Sequence, residues 1–309
     1  MTTLDDTTET PVRCAPWTRE QGADPVGSVG TYRSFLMVEW PLPWPKDIGE
    51  VPALAALRAE LAAAGCRLQG LVPKGDSSTR TLIHYGAQLD SDGAFSGYRR
   101  SSLTVEPAEV IGAARHLLAA TDPAAPTNGH EVLVCTHGRR DRCCGSLGTD
   151  LALQLLADPG ALGADTATWR TSHTGGHRFA PTALVFPEGT GWAFADIALL
   201  ARVVAREGPV TDVLDRYRGC AGLASPRVQA LERAVLAEVG WGLFDMARWG
   251  SDDPDGATRL HVRRPDGPVT WEATVNAGRA LPVPECGAPV TEARKTSTEL
   301  VVGALRRVS

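Results

Sequence analysis

"HEVLVCTHGRRDRCCGSLGTDLALQLLADP", residues 130–159, passes from one hydrophobic rhythm to another within a single stretch. It opens on "HEVLVCTH", an apolar run of the kind a buried strand presents. It closes on "GTDLALQLLADP", whose leucines fall at helical spacing and for which Thr149 reads as the cap. The loop between them holds Gly138, Arg139, Arg140, Arg142 and the adjacent thiols Cys143 and Cys144. Strand, loop and helix in that order begin an α/β unit. Downstream, "ATWRTSH", "TALVFPEG" and "GWAFAD" read as strands with a turn at "EGTG", and "IALLARVVARE" reads as the closing helix.

The same plan occurs upstream. "YRSFLMVEWPL" reads as a strand, "VPALAALRAELAAAG" as a helix, "RLQGLVP" and "RTLIHYG" as strands, and "PAEVIGAARHLLAAT" as a helix. The repeat predicts an α/β protein of two units in tandem, over residues 31–125 and 126–208. A polar arm, 1–30, precedes them and a C-terminal extension, 209–309, follows. In the extension "VTDVLDRYRG" and "PRVQALERAVLAEVG" read as helices. "TRLHVRRPDGPVTWEATV" reads as a hairpin turning at Asp266-Gly267, and "ALPVPECGAP" as a further extended piece.

The chain has 309 residues with 43% hydrophobic and 22% charged residues, ordinary values for a folded soluble protein. A formal net charge of −5 makes no electrostatic case for a nucleic-acid partner. No apolar stretch approaches the roughly 20 residues that cross a bilayer. The acidic, polar start lacks the pattern of a secretory signal, so the expected location is cytoplasmic, away from membranes. Seven cysteines scattered over a chain of this length suit metal binding or redox chemistry better than a disulfide framework.

Four residues carry the chemistry. Cys135 ends the predicted strand and Cys144 follows across the loop. "TSHTGGHRFAPT", residues 171–182, adds His173 and His177 around Gly175 and Gly176. The order is C-x8-C-x28-H-x3-H, each pair at a strand-to-loop junction. The glycine pair permits unusual dihedrals and close approach around a metal centre. Two thiolates and two imidazoles suit a tetrahedral zinc or a [2Fe-2S] cluster with split ligation, and the spacing does not choose between them.

"CTHGRRDRCCG", "HTGGHRFAPT" and the early "RCAPWTREQGADPVGSVGTYRSFLMVEWPLPW" together resemble the sucrase/ferredoxin-like family, over most of residues 12–205 and more loosely through "RYRGCAGL". The resemblance implies a thioredoxin-like fold whose second unit binds a [2Fe-2S] cluster through Cys135, Cys144, His173 and His177. The first unit would then be a degenerate copy without ligands. The implied role is single-electron transfer between a redox donor and an acceptor. Two thiolates leave an oxidised diiron core neutral where four would leave it doubly negative, so the potential should stand higher than in four-cysteine clusters. Imidazole ring protons should make it fall as pH rises.

The family pattern sets its second cysteine directly before glycine, which selects Cys144 and leaves Cys143 as an extra thiol. Cys14, Cys66, Cys220 and Cys286 read as packing. His137 completes only half of a Rieske-type site and reads as a support for a ligand. Asp141 is a candidate to orient a histidine or arginine. Arg139, Arg140, Arg142 and Arg178 form a candidate positive rim for an acidic partner. Three other functions compete: a structural zinc site on the same four ligands, a thiol oxidoreductase using Cys143 and Cys144, and a glycoside hydrolase. The last lacks a recognisable carboxylate pair.

Overall fold

The computed structural model describes residues 10–75, 78–120 and 129–308. Residues 1–9 of the expected arm, and the junction expected at 125/126, lie outside these. Among the described residues one mixed sheet of fourteen strands runs through the molecule, with helices packed on it. The chain is thus α/β.

The second unit contains β5 (His130–Cys135), α4 (Thr149–Ala157), β6 (Thr166–Thr171), β7 (Ala183–Phe186), β8 (Thr190–Trp192) and α5 (Ile197–Ala205). Strands β5 and β6 run parallel from His130↔Thr166 to Cys135↔Thr171, while β7 pairs antiparallel with β5 and β8 with β7. The first unit contains β1 (Ser34–Glu39), α2 (Arg58–Ala63), β2 (Cys66–Leu71), β3 (Arg80–Leu89), β4 (Phe95–Val105) and α3 (Val110–Ala119). There β1 and β2 are parallel, β3 is antiparallel to β1, and β4 to β3. Both units therefore have one connectivity, with the strand order second, first, third, fourth. Strand β4 was not legible in the sequence: along it "SSLTV" is half-exposed and polar, without the apolar alternation that marks a strand.

The units meet edge to edge through β2 and β6 at Leu71↔Thr171. Side chains reinforce this seam: Ser172 Oγ accepts from Gly70 N at 2.9 Å, and Thr171 Oγ1 donates to Gly70 O at 3.0 Å. The sheet then curls until the two halves face each other. Phe186 of β7 stacks on Tyr85 of β3 with ring centroids 4.3 Å apart and meets Phe35 of β1 edge-on. One large core fills the space between, at roughly 1.5–3 kcal/mol for each large apolar side chain buried.

The C-terminal region extends the sheet at both ends. The expected helix "VTDVLDRYRG" is a 3₁₀ segment, Val210–Arg216, that passes into β9 (Tyr217–Cys220) on the edge of β8. Helix α6 (Pro226–Val239) is capped by Ser225, whose Oγ accepts from Val228 N, and its first turn tolerates Pro226. It lies across β9 and the strands at the opposite end of the sheet. Those are β10 (Arg248–Asp252), which pairs with β4, then β11 (Ala257–Arg264), β12 (Gly267–Pro282) and β13 (Thr296–Val302); a short β14 (Arg306–Arg307) also pairs with β12. The β11–β12 hairpin forms, but with Arg264 opposite Gly267 its turn residues are Pro265 and Asp266, one position before the expected Asp266-Gly267.

The described part of the arm includes α1 (Cys14–Glu20), which packs on the His177–Phe179 turn. Val12 N donates to Ala288 O and Gly287 N donates to Val12 O, so the arm and the "PECGAP" segment form a short ladder. Asp24 holds Arg233 of α6 through two 2.6 Å contacts. No helix among the described residues is long and apolar enough to cross a membrane.

Candidate metal centre

Cys135 reaches the site as the last residue of β5, fully buried, its N–H donating to Thr182 O at 3.0 Å. Cys144 comes from helical turns that begin directly after Asp141. Asp141 Oδ1 accepts from Cys143 N at 2.8 Å and from Cys144 N at 3.3 Å, so this carboxylate, rather than Thr149, caps the helical run. Residues Cys144–Gly148 are wound as π-helix before α4 continues. The close fit depends on Gly148, where a Cβ would lie 1.9 Å from Cys135 O. These turns can press on the end of β5 only without a side chain there.

His173 follows β6. Gly175 and Gly176 then take φ of +86° and +64°, the left-handed conformation their pairing suggested. The loop is held by Thr174 Oγ1 and Thr182 Oγ1 at 2.9 Å and by the buried ring of Phe179. His137 supports it from below. Its Nδ1 accepts from His173 N at 3.3 Å, which puts the proton on Nε2, 2.8 Å from Pro45 O. Both nitrogens are committed, so His137 positions the backbone of His173 and is no ligand. Arg67, from the first unit, donates to His173 O.

One ligand atom from each of Cys135, Cys144 and His173 lies within 4.8 Å of the others. His173 Nδ1 is buried without a hydrogen-bond partner. His177 is not in this trio. Its ring centroid is 6.4 Å from that of His173, and its Nδ1 is 3.1 Å from Asp141 Oδ2. Asp141 thus orients a histidine, as its position suggested.

The two thiols share protons unequally. Cys135 is held well below its ordinary range, first by the hydrogen bond from Cys144 and then by His173, while Cys144 is pushed up as the donor. Beside them lies Arg218, fully buried. Its Nε donates to Ser28 Oγ at 3.0 Å and its Nη2 to Ser28 O at 2.7 Å, but Nη1 has no partner. Burial pushes the guanidinium down to about 10, against the pull of Cys135 and Cys144, which favour its charged form. A Cβ at Gly176 would lie 2.4 Å from Arg218 Nη2, so the glycine also clears room for this cation. A buried guanidinium facing thiols in place of a carboxylate marks a place built for negative charge. Arg218 did not stand out in the sequence, where it lies within "RYRGCAGL".

The vicinal cysteines point to different places. Cys143 meets Cys14 and Cys286 around Asp141, four residues that likewise bring ligand atoms within 4.8 Å of one another. Three thiols expected to be packing or surplus therefore form a second group. Cys220, in contrast, donates to Glu188 O at 3.3 Å, and burial pushes its thiol up to about 12. Cys66 is buried in the first unit's core. Of the arginines expected at a rim, Arg139, Arg140 and Arg142 line a cleft with Lys46, Arg294 and Lys295. Arg178 instead lies over the Phe179 ring at 4.5 Å and donates to Ser297 Oγ.

No curated protein and no solved structure matches the chain. Residues 25–219 match the family described as Sucrase/ferredoxin-like, a span that contains both units, the Cys135–Cys144–His173 group and Arg218. On that match, and on the motifs that form the site, the chain belongs to the sucrase/ferredoxin-like family.

Proposed function

We propose that the protein is an electron carrier binding one [2Fe-2S] cluster through Cys135, Cys144, His173 and His177. The observation that carries the reading is the convergence of two buried thiols and an unpartnered buried imidazole nitrogen beside the uncompensated guanidinium of Arg218. The donor set fits the group. Two thiolates offset the charge of a core of two ferric ions and two sulfides, and Arg218 favours the extra negative charge of its reduced form. With Nδ1–H of His177 donating to Asp141, Nε2 carries the lone pair a metal needs, the carboxylate–histidine arrangement common around metal ligands. Bound there, the cluster supplies a one-electron couple.

The chain's own residues do the rest. Cys135, Cys144 and Arg218 are sealed from water, whereas His173 and His177 are half-exposed. A cleft lined by Lys46, His137, Arg140, Ser172 and His173 leads to the histidine side. Electrons would enter and leave there, next to the cationic rim of Lys46, Arg139, Arg140, Arg142, Arg294 and Lys295, which suits an acidic redox partner. The repeated connectivity of the two units supports the thioredoxin-like reading of both.

The test is anaerobic purification with iron, sulfide and zinc analysis and visible and EPR spectra before and after dithionite. A red-brown protein with equimolar iron and sulfide, EPR-silent until reduced, supports the reading. A colourless protein with stoichiometric zinc lost in Cys135→Ser overturns it.

A further inference from the structure

We propose that Cys14, Cys143, Cys286 and Asp141 form a second, separate metal site that holds one zinc ion and clasps both ends of the chain to the second unit. Cys143 Sγ is 3.1 Å from Cys286 Sγ, and Cys286 Sγ is 3.2 Å from Cys14 Sγ. Asp141 Oδ2 is 3.4 Å from Cys14 Sγ, and Oδ1 is 3.8 Å from Cys286 Sγ. A tetrahedral zinc with Zn–S bonds of ~2.3 Å separates its sulfurs by about 3.8 Å. The four residues need move only a few tenths of an ångström outward to surround such an ion. A multi-iron cluster is disfavoured, because it spreads thiolates over different irons, farther apart than any pair in this group.

The surroundings are those of a thiolate site. Cys14 N approaches Cys286 Sγ at 3.4 Å as an N–H···S donor. Arg13 lies against Cys143. Three thiolates and a carboxylate on zinc leave a doubly negative centre, with Arg13 beside it and Arg142 lining the same cleft as Cys286. With all four positions filled by protein, the ion is structural.

Its placement gives it work to do. Cys14 lies in the arm, Cys286 in the C-terminal region, and Cys143 and Asp141 in the loop between β5 and α4. One ion therefore closes a loop between residues 272 positions apart, beside the Val12–Gly287 ladder. Asp141 also holds His177, so this clasp fixes the orientation of a residue at the other centre.

The experiment measures zinc and iron in the full-length protein, produced with both metals supplied. It compares wild type, Cys135→Ser/Cys144→Ser and Cys14→Ser/Cys286→Ser. One zinc per chain is expected in wild type, retained in the first double variant and lost from the second. Because the second could fail to fold, cobalt is loaded into the first as well, where thiolate-to-cobalt charge-transfer absorption is expected. Wild type without zinc, zinc that follows Cys135 and Cys144, iron in its place, a Cys143–Cys286 disulfide, or no cobalt–thiolate band would each overturn the site. Iron–sulfur spectra are read in the same samples, so failure of this site and failure of the cluster reading are separable.

Discussion

The two units share a connectivity and differ in what they pack where the first strand ends and its following helix begins. In the first, Leu36 and Val38 of β1 meet Trp44, Ile48, Val51, Leu54 and Leu57, an aliphatic and aromatic core. In the second, Cys135 at the end of β5 meets Cys144, Cys143, Cys14 and Ala180. One scaffold thus holds hydrocarbon in one copy and sulfur in the other, and Gly148, which lets the Cys144 turns press on β5, belongs to the second copy. The first copy contributes no residue to either thiol group among the described residues, yet it holds His173 through Arg67 and, by way of Pro45, His137. The difference separates a supporting unit from the one that carries both groups of candidate metal ligands.

Four outcomes would sharpen or break that division. Cys135→Ser or Cys144→Ser should abolish cluster binding, read as loss of acid-labile sulfide and visible absorption. Trp44→Ala in the first copy should cost about 3–5 kcal/mol in denaturant unfolding while the folded fraction keeps its iron. Loss of iron without loss of stability would merge the two roles.

Arg218→Gln removes the buried cation and should lower the midpoint potential by on the order of 50 mV. A unit charge within ~10 Å at an effective dielectric constant of ~20 contributes roughly 1–2 kcal/mol. The contrast is Arg248, also buried, which is paired with Glu232 at 2.7 Å and belongs to the scaffold. An unchanged potential in Arg218→Gln would make Arg218 scaffold too. Smallest of all, Arg140→Glu should slow reduction by an acidic donor severalfold at low salt and little at high salt, with the potential unchanged, as stopped-flow kinetics would show.

Much of the site was legible because its spacing is local. Cys135, Cys144 and His173, singled out by local spacing, come together, whereas His177 lies outside that group against Asp141. The α/β plan was legible for the same reason, from strands and helices with a clear rhythm. What stayed hidden was long-range or weakly patterned. Cys14 and Cys286 meet only after the whole sheet has formed, and neither has a metal-spaced neighbour in sequence. Arg218 lies in a strand that read, in "VTDVLDRYRG", as the end of a helix. Strand β4 is too polar to betray itself, and Asp141 reveals its capping role only once the π-helical turns are seen.

The central claim is that paired thiols and imidazoles hold a diiron cluster in the second unit. Redox titration followed by EPR, repeated from mildly acidic to alkaline pH, tests it most directly. The account predicts a one-electron signal of a [2Fe-2S] type whose potential falls as pH rises, that pH dependence disappearing when both His173→Cys and His177→Cys are introduced. A protein with no reducible signal, or one whose potential ignores pH with both histidines in place, would contradict it.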